Sequence, residues 1–167
     1  MNFDLKPLHR DAVAAALEKA KRYRLLNEPG DAESICLDVL VVEPDHQEAL
    51  TTMLLAITDQ FDKGHGDALN RARAVLPRIA GDYEKAYYAG LVCERQAKAK
   101  MKRGGPGAGA VAYEWFREAM DWYEKAETLR PAGNDDAVLR WNACARRIMS
   151  NESLRPTVED AMPSMLE

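Results

Sequence analysis

The breaks in this chain constrain its fold more than the stretches between them. Six short segments rich in Pro, Gly, Asp and Asn interrupt it: Glu28-Pro29-Gly30-Asp31, Pro44-Asp45, Lys63-Gly64-His65-Gly66, Gly81-Asp82, the glycine-rich 104–109, and Pro131-Ala132-Gly133-Asn134. Each supplies a helix stop, a turn or a new N-cap. The intervals are too long for ordinary strands and repeat their apolar residues every three or four positions. Even the β-branched run Leu37-Asp38-Val39-Leu40-Val41-Val42 continues the helical series Ala32, Ile35, Cys36, Val39, Leu40 and stops at Pro44. The pattern predicts an all-α chain of seven helices at 11–27, 31–42, 46–62, 66–79, 82–103, 110–129 and 135–150. Turns this short place successive helices antiparallel.

A fixed spacing of small, aromatic and proline residues runs through these pairs. Ala20 is followed by Tyr23, then Gly30-Asp31-Ala32, and Pro44 lies twelve residues after Ala32. Ala119, Tyr123 and Ala126 repeat the second half, with Pro131 twelve residues after Ala119. The stretch from Ala86 to Cys93 reads as the first half of another unit, with Gly90 at the small position. The chain thereby resembles the tetratricopeptide repeat (TPR) family, in which small residues let paired helices approach and the proline ends the second helix.

The resemblance covers about Val13 to Ile148 as three helix pairs and a final capping helix. It implies an α-solenoid, a right-handed superhelix of antiparallel pairs. The match is uneven. Leu54 stands where a small residue is usual, about seventeen residues are inserted between Gly90 and Ala119, and Trp141 takes a glycine or alanine position. The insertion lengthens the hairpin at about 82–130; at 1.5 Å per residue, about eight extra residues per arm reach roughly 12 Å. The domain is expected to span 1–150. Residues 151–167, with Pro156 and Pro163 and scattered apolar groups, read as a flexible tail.

TPR arrays hold extended peptides on the face lined by the first helix of each pair. The resemblance places Leu17, Lys21 and Arg24 on that face, then Glu48, Thr51, Leu55 and Asp59. Further along come Glu84, Tyr87, Leu91 and Glu94, and finally Asp135, Val138 and Asn142. Members that clamp a chaperone tail's carboxylates use lysines, asparagines and an arginine at positions occupied here by Leu17, Lys21, Thr52, Glu84 and Tyr88. One lysine survives, so that ligand class is not expected.

No constellation of catalytic residues stands out. The glycine-rich 104–109 lacks the strand before it and the lysine and Ser/Thr after it that a phosphate cradle needs, and reads as a reversal between helices. His9, His46 and His65 are isolated, so no metal or other cofactor is expected; His46 is placed to cap a helix. Ser34, Ser150, Ser153 and Ser164 have no histidine nearby. Cys36, Cys93 and Cys144 fall on packed helix faces, an odd and scattered set that builds neither a disulfide framework nor a zinc site. Tyr113, Phe116, Met120 and Tyr123 form one apolar stripe. Trp115 and Trp122, seven apart on an adjacent face, either wrap that core or form a patch for a partner. The run from Lys98 to Arg103 either complements a helix dipole or forms a positive docking tip.

A net charge of −4 argues against a general nucleic-acid binder. The first ten residues lack an apolar signal core, and the densest apolar run, 53–57, is too short to span a bilayer, so a cytoplasmic protein is expected. The sequence points to a non-catalytic protein–protein interaction module or adaptor with an unidentified protein or peptide partner. A self-associating scaffold, a homo-oligomer stacked through open repeat ends, is the alternative.

Overall fold

A computed structural model describes residues 1–64 and 66–157. His65 and 158–167, which include Pro163 and Ser164, lie outside the described residues. Among the described residues the chain is all-α, with seven helices packed mostly in sequence. They are α1 (Val13–Leu25), α2 (Pro29–Val42), α3 (Gln47–Thr58), α4 (Ala68–Val75), α5 (Asp82–Arg103), α6 (Ala108–Leu129) and α7 (Asp136–Ser150). Short 3-10 turns precede α1 (Arg10–Ala12) and follow α4 (Leu76–Arg78). The chain divides into two compact units, Met1–Ala80 and Gly81–Glu167.

The boundaries follow from local chemistry. α1 ends where Asn27 turns left-handed at φ 61°, while the Glu28 and Asn27 amides donate back to the Tyr23 and Arg24 carbonyls. Pro29 then opens α2, where its missing N–H costs nothing. His46 caps α3, its Nδ1 accepting from the Ala49 amide at 3.3 Å. α4 is shorter than its predicted segment because Pro77 tightens its last turn into a 3-10 helix.

In the first unit α2 packs between α1 and α3, α3 packs on α4, and α1 also touches α3. Leu17, Ala20, Ala32, Cys36, Leu50 and Leu54 are buried. In the second unit α5 lies along α6, and α6 along α7. Both arms of the α5–α6 hairpin are 22 residues long, against 8 to 14 for the helices of the first unit. Lys98 to Arg103 continue α5, and Lys100, Lys102 and Arg103 occupy its last turn, where cations complement the dipole. Gly104 and Gly107, with φ of 66° and 74°, turn the chain into α6.

The predicted stripe builds the core of this second unit: Phe116, Met120 and Tyr123 are buried beside Cys93, Ala97 and Cys144. Gly90 brings the hairpin arms together. A Cβ there would meet the Tyr123 ring at 2.7 Å.

The chain beyond α7 differs from the expected loose tail. Leu154 is only 1% exposed and joins the α5–α6–α7 core. Its approach is permitted by Gly109, where a Cβ would collide with the Ser153 carbonyl. The packed chain therefore extends to at least Leu154; the rest of the expected tail lies largely outside the described residues.

Candidate functional site

In the first unit the residues assigned to the ligand-binding face fall along the seam between α1 and α3. Arg24 Nε reaches Asp59 Oδ2 at 2.8 Å, and Lys21 pairs with Glu48 and, at 3.0 Å, with Glu18. The carboxylates of Glu48 and Glu18 hold the Lys21 ammonium above the ordinary lysine range. Thr51 returns its hydroxyl hydrogen to the Gln47 and Glu48 carbonyls, and Leu55 is half-buried. Leu17 and Thr52 are buried, so two of the positions a carboxylate clamp would use are closed.

At one end of this seam a cavity of about 380 Å³ opens. Its walls include Val13, Ala14 and Leu17, and its charged lining is Arg10, Asp11, Glu18, Glu43 and Glu48, with His46 beside them. The His46 and Glu43 side chains approach to 3.9 Å. Four carboxylates against one guanidinium and an imidazole give this opening a negative potential. Sequence reasoning found Glu48 but missed Asp11 and Glu18, which lie at and just inside the start of α1 but off the positions the repeat assigns to the ligand face, and Glu43, which ends α2.

In the second unit the assigned face is mixed: Glu84 and Asp135 are exposed, Tyr87, Val138 and Asn142 half-buried, and two residues are closed off from solvent. Leu91 is 3% exposed and Glu94 only 1%, which corrects both as ligand-facing residues. Glu94 is held from three helices. It accepts from the Tyr123 hydroxyl of α6 at 2.7 Å, from Lys98 one turn along α5, and from Arg140 Nη1 of α7 at 3.4 Å. Burial pushes its carboxyl up, but the hydrogen bonds from Lys98 and Tyr123 and the charges of Lys98 and Arg140 win, holding it below the usual range. Burial and the neighbouring Glu94 push the Tyr123 hydroxyl far above its ordinary range. Arg140 is pulled down by burial and raised more by Glu94 and a hydrogen bond to Tyr87. A sequence signal existed: Glu94 falls inside the buried stripe of Gly90, Cys93 and Ala97.

Tyr87 is half-buried and stacks with Tyr83 and edge-on to Tyr88. Asn142 is half-buried on α7. Trp115 and Trp122 are half-buried and pack against the core, and Lys125 Nζ sits 5.2 Å over the Trp122 ring. Trp141 is tied by its indole N–H to Glu124 at 3.0 Å.

All three cysteines are buried. Burial pushes the Cys36 and Cys144 thiols up to about 12, the reverse of what a nucleophile needs. Among the described residues no cluster of three His, Cys, Asp or Glu side chains is placed to hold a metal ion, and no helix is long and apolar enough to cross a membrane.

Against known proteins, no family model matches the chain, and neither a curated protein nor a solved structure matches it.

Proposed function

We propose that this chain is a non-catalytic, TPR-like interaction module that holds an extended peptide or a helix along the α1–α3 seam. The observation that carries the reading is the placement of α1 beside α3. These helices are not neighbours in sequence, yet Arg24–Asp59 and Lys21–Glu48 join them, and the seam ends in a cavity of about 380 Å³. Laying the first helices of successive pairs side by side is the device by which helical repeats create a binding face. The TPR-like spacing of small residues supports the same reading, since Ala20, Ala32, Ala119 and Ala126 are all fully buried.

The chemistry of the cavity favours a ligand carrying a basic residue. Lys21 is already engaged by Glu18 and Glu48, so the remaining acids set the sign of the potential. A lysine or arginine side chain would lay its stem on Val13 and Leu17 and its charge between Asp11 and Glu43.

The test is fluorescence anisotropy with two labelled ten-residue peptides of equal apolar content, one bearing three lysines and the other three glutamates. The basic peptide is expected to bind at least about tenfold more tightly at low salt, with the preference shrinking as salt rises. Asp11→Lys combined with Glu18→Lys, both at exposed positions, should abolish that preference. Equal binding of the two peptides, or no binding of either at millimolar concentration, would overturn the reading.

A further inference from the structure

Two histidines flank the acidic cavity, and each spends one ring nitrogen on a helix start. His46 opens α3, its Nδ1 accepting from the Ala49 amide at 3.3 Å. His9 opens the 3-10 turn before α1, its Nδ1 accepting from the Asp11 amide at 3.2 Å. A backbone N–H only donates, so both bonds need a ring nitrogen that carries no proton. An imidazolium has two N–H donors and no acceptor, so protonation removes the cap.

Each ring also lies beside a carboxylate of the cavity. His46 Nε2 is 3.9 Å from Glu43 Oε2, and His9 Nδ1 is 3.7 Å from Asp11 Oδ2. Glu43 and Asp11 are the two acids between which a basic ligand would place its charge. A neutral imidazole leaves Glu43 its full negative charge for that ligand. A charged one pairs the same carboxylate from within the chain. The effect is larger at His46, whose side chain is 23% exposed, than at His9, 78% exposed, where water screens the pair.

The other charges around His46 come from each neighbouring element. Glu48 lies on α3 and pairs with Lys21 of α1, while Arg10, Asp11 and Glu18 come from the turn before α1 and from α1 itself. Asp45 and Arg78 are exposed, and Arg78 donates to the Pro44 carbonyl at 2.9 Å. Acids outnumber bases in this set, so a proton on His46 competes with a basic ligand for the same field.

We propose that His46, with a smaller share from His9, is a proton-operated gate on the acidic cavity. Neutral, it caps α3 and leaves Glu43 to a basic ligand; protonated, it gives up the Ala49 amide and takes Glu43 for itself. Such a gate rests on the reading of this cavity as a site for basic ligands, and adds its regulation. Imidazole is the side chain that changes charge between about pH 5 and 8. A bound lysine or arginine disfavours an imidazolium beside it, so binding expels a proton and affinity falls as pH falls through that window. The ligand's own lysines keep their charge there.

The test is the affinity of the full chain for the three-lysine peptide, measured by fluorescence anisotropy from about pH 7.5 to about pH 5.5 at constant ionic strength. Affinity is expected to fall about tenfold across that range. His46→Asn keeps an oxygen to accept from the Ala49 amide but does not titrate, and it should remove most of the fall. Combined with His9→Asn it should leave a fall of less than about twofold. The ratio of affinities at the two ends is the readout, whatever the absolute affinity of each variant. The Ala49 amide resonance gives a second reading that needs no ligand. It should shift with the same midpoint as the His46 ring protons, and stay still in His46→Asn. A wild-type affinity that holds constant with pH, or an equal fall in the double variant, overturns the gate. So does an Ala49 amide indifferent to the titration of His46. Absence of peptide binding at about pH 7.5 overturns instead the reading of the cavity, and the Ala49 resonance then decides whether the switch itself exists.

Discussion

The two units solve the same problem with different chemistry. In each, a base on one helix reaches an acid on the helix two places away in sequence. Between α1 and α3 the pair is Arg24–Asp59, with side chains 22% and 23% exposed. Between α5 and α7 it is Arg140–Glu94, and Glu94 is nearly sealed from solvent. Water screens the first pair and competes for it, so it adds little to stability. It has excluded itself from the second, where Tyr123, Lys98 and Arg140 replace the lost hydration of the carboxylate. The first pair stays in contact with water, and the second is a joint sealed from it.

The sharpest break in this comparison is Glu94→Ala. It leaves Arg140 and the Tyr123 hydroxyl without their shared acceptor and should cost about 3–5 kcal/mol in urea denaturation. The pH dependence carries the same signature. The folded-state pKa of Glu94 lies below its unfolded value, so its contribution is complete above the unfolded pKa, about 4.3, and is lost as pH falls through the lowered folded value. In the variant the acid limb of the stability profile should flatten. A loss under about 1 kcal/mol would show that the network is as well solvated as a surface pair.

Gly90→Leu should follow, at about 2–4 kcal/mol, because the new side chain is driven into the Tyr123 ring that also holds Glu94. A melting temperature unchanged within about a degree would remove Gly90 from the contact between the hairpin arms. Leu154→Ala comes next, at about 2–3 kcal/mol, as expected for emptying a buried leucine site. Full stability in that variant would mean that residues beyond α7 contribute nothing to the second unit. The smallest effect belongs to the first unit: Asp59→Ala should cost less than about 1 kcal/mol, and less still at high salt. Equal losses for Asp59→Ala and Glu94→Ala would abolish the distinction between a pair in contact with water and a joint sealed from it.

Much of the fold was legible because helix boundaries are local. Pro29, His46, Gly104 and Gly107 act within a few residues of themselves, and each helix begins or ends close to where its own sequence directs. The apolar stripe of Phe116, Met120 and Tyr123 was equally plain, since its spacing alone puts it on one face. The site was less legible. Arg24 pairs with Asp59 and Lys21 with Glu48 along one seam, whereas Leu91 and Glu94, assigned by the same spacing, are buried. Asp11 and Glu18, seven apart, share one helix face, but Glu43, which completes the cavity's charge, lies between α2 and α3, and no single-helix pattern connects it to them.

The sequence by itself determined that the chain is helical, where most of its helices begin, and which positions form its main apolar stripes, though α3 and α4 end earlier than their predicted segments. The tertiary structure decided what becomes of polar groups on those faces. Glu94 is an acid on an apolar stripe: its position points inward, but nothing local says what would replace the water its carboxylate gives up. Its fate depends on Tyr123, 29 residues away, and Arg140, 46 residues away. Leu154 is likewise a lone leucine between polar residues until Gly109, far back along the chain, leaves room for its backbone to cross. Capping and periodicity act over one turn of helix, whereas desolvation of a charge or a side chain is settled by whatever the folded chain brings against it.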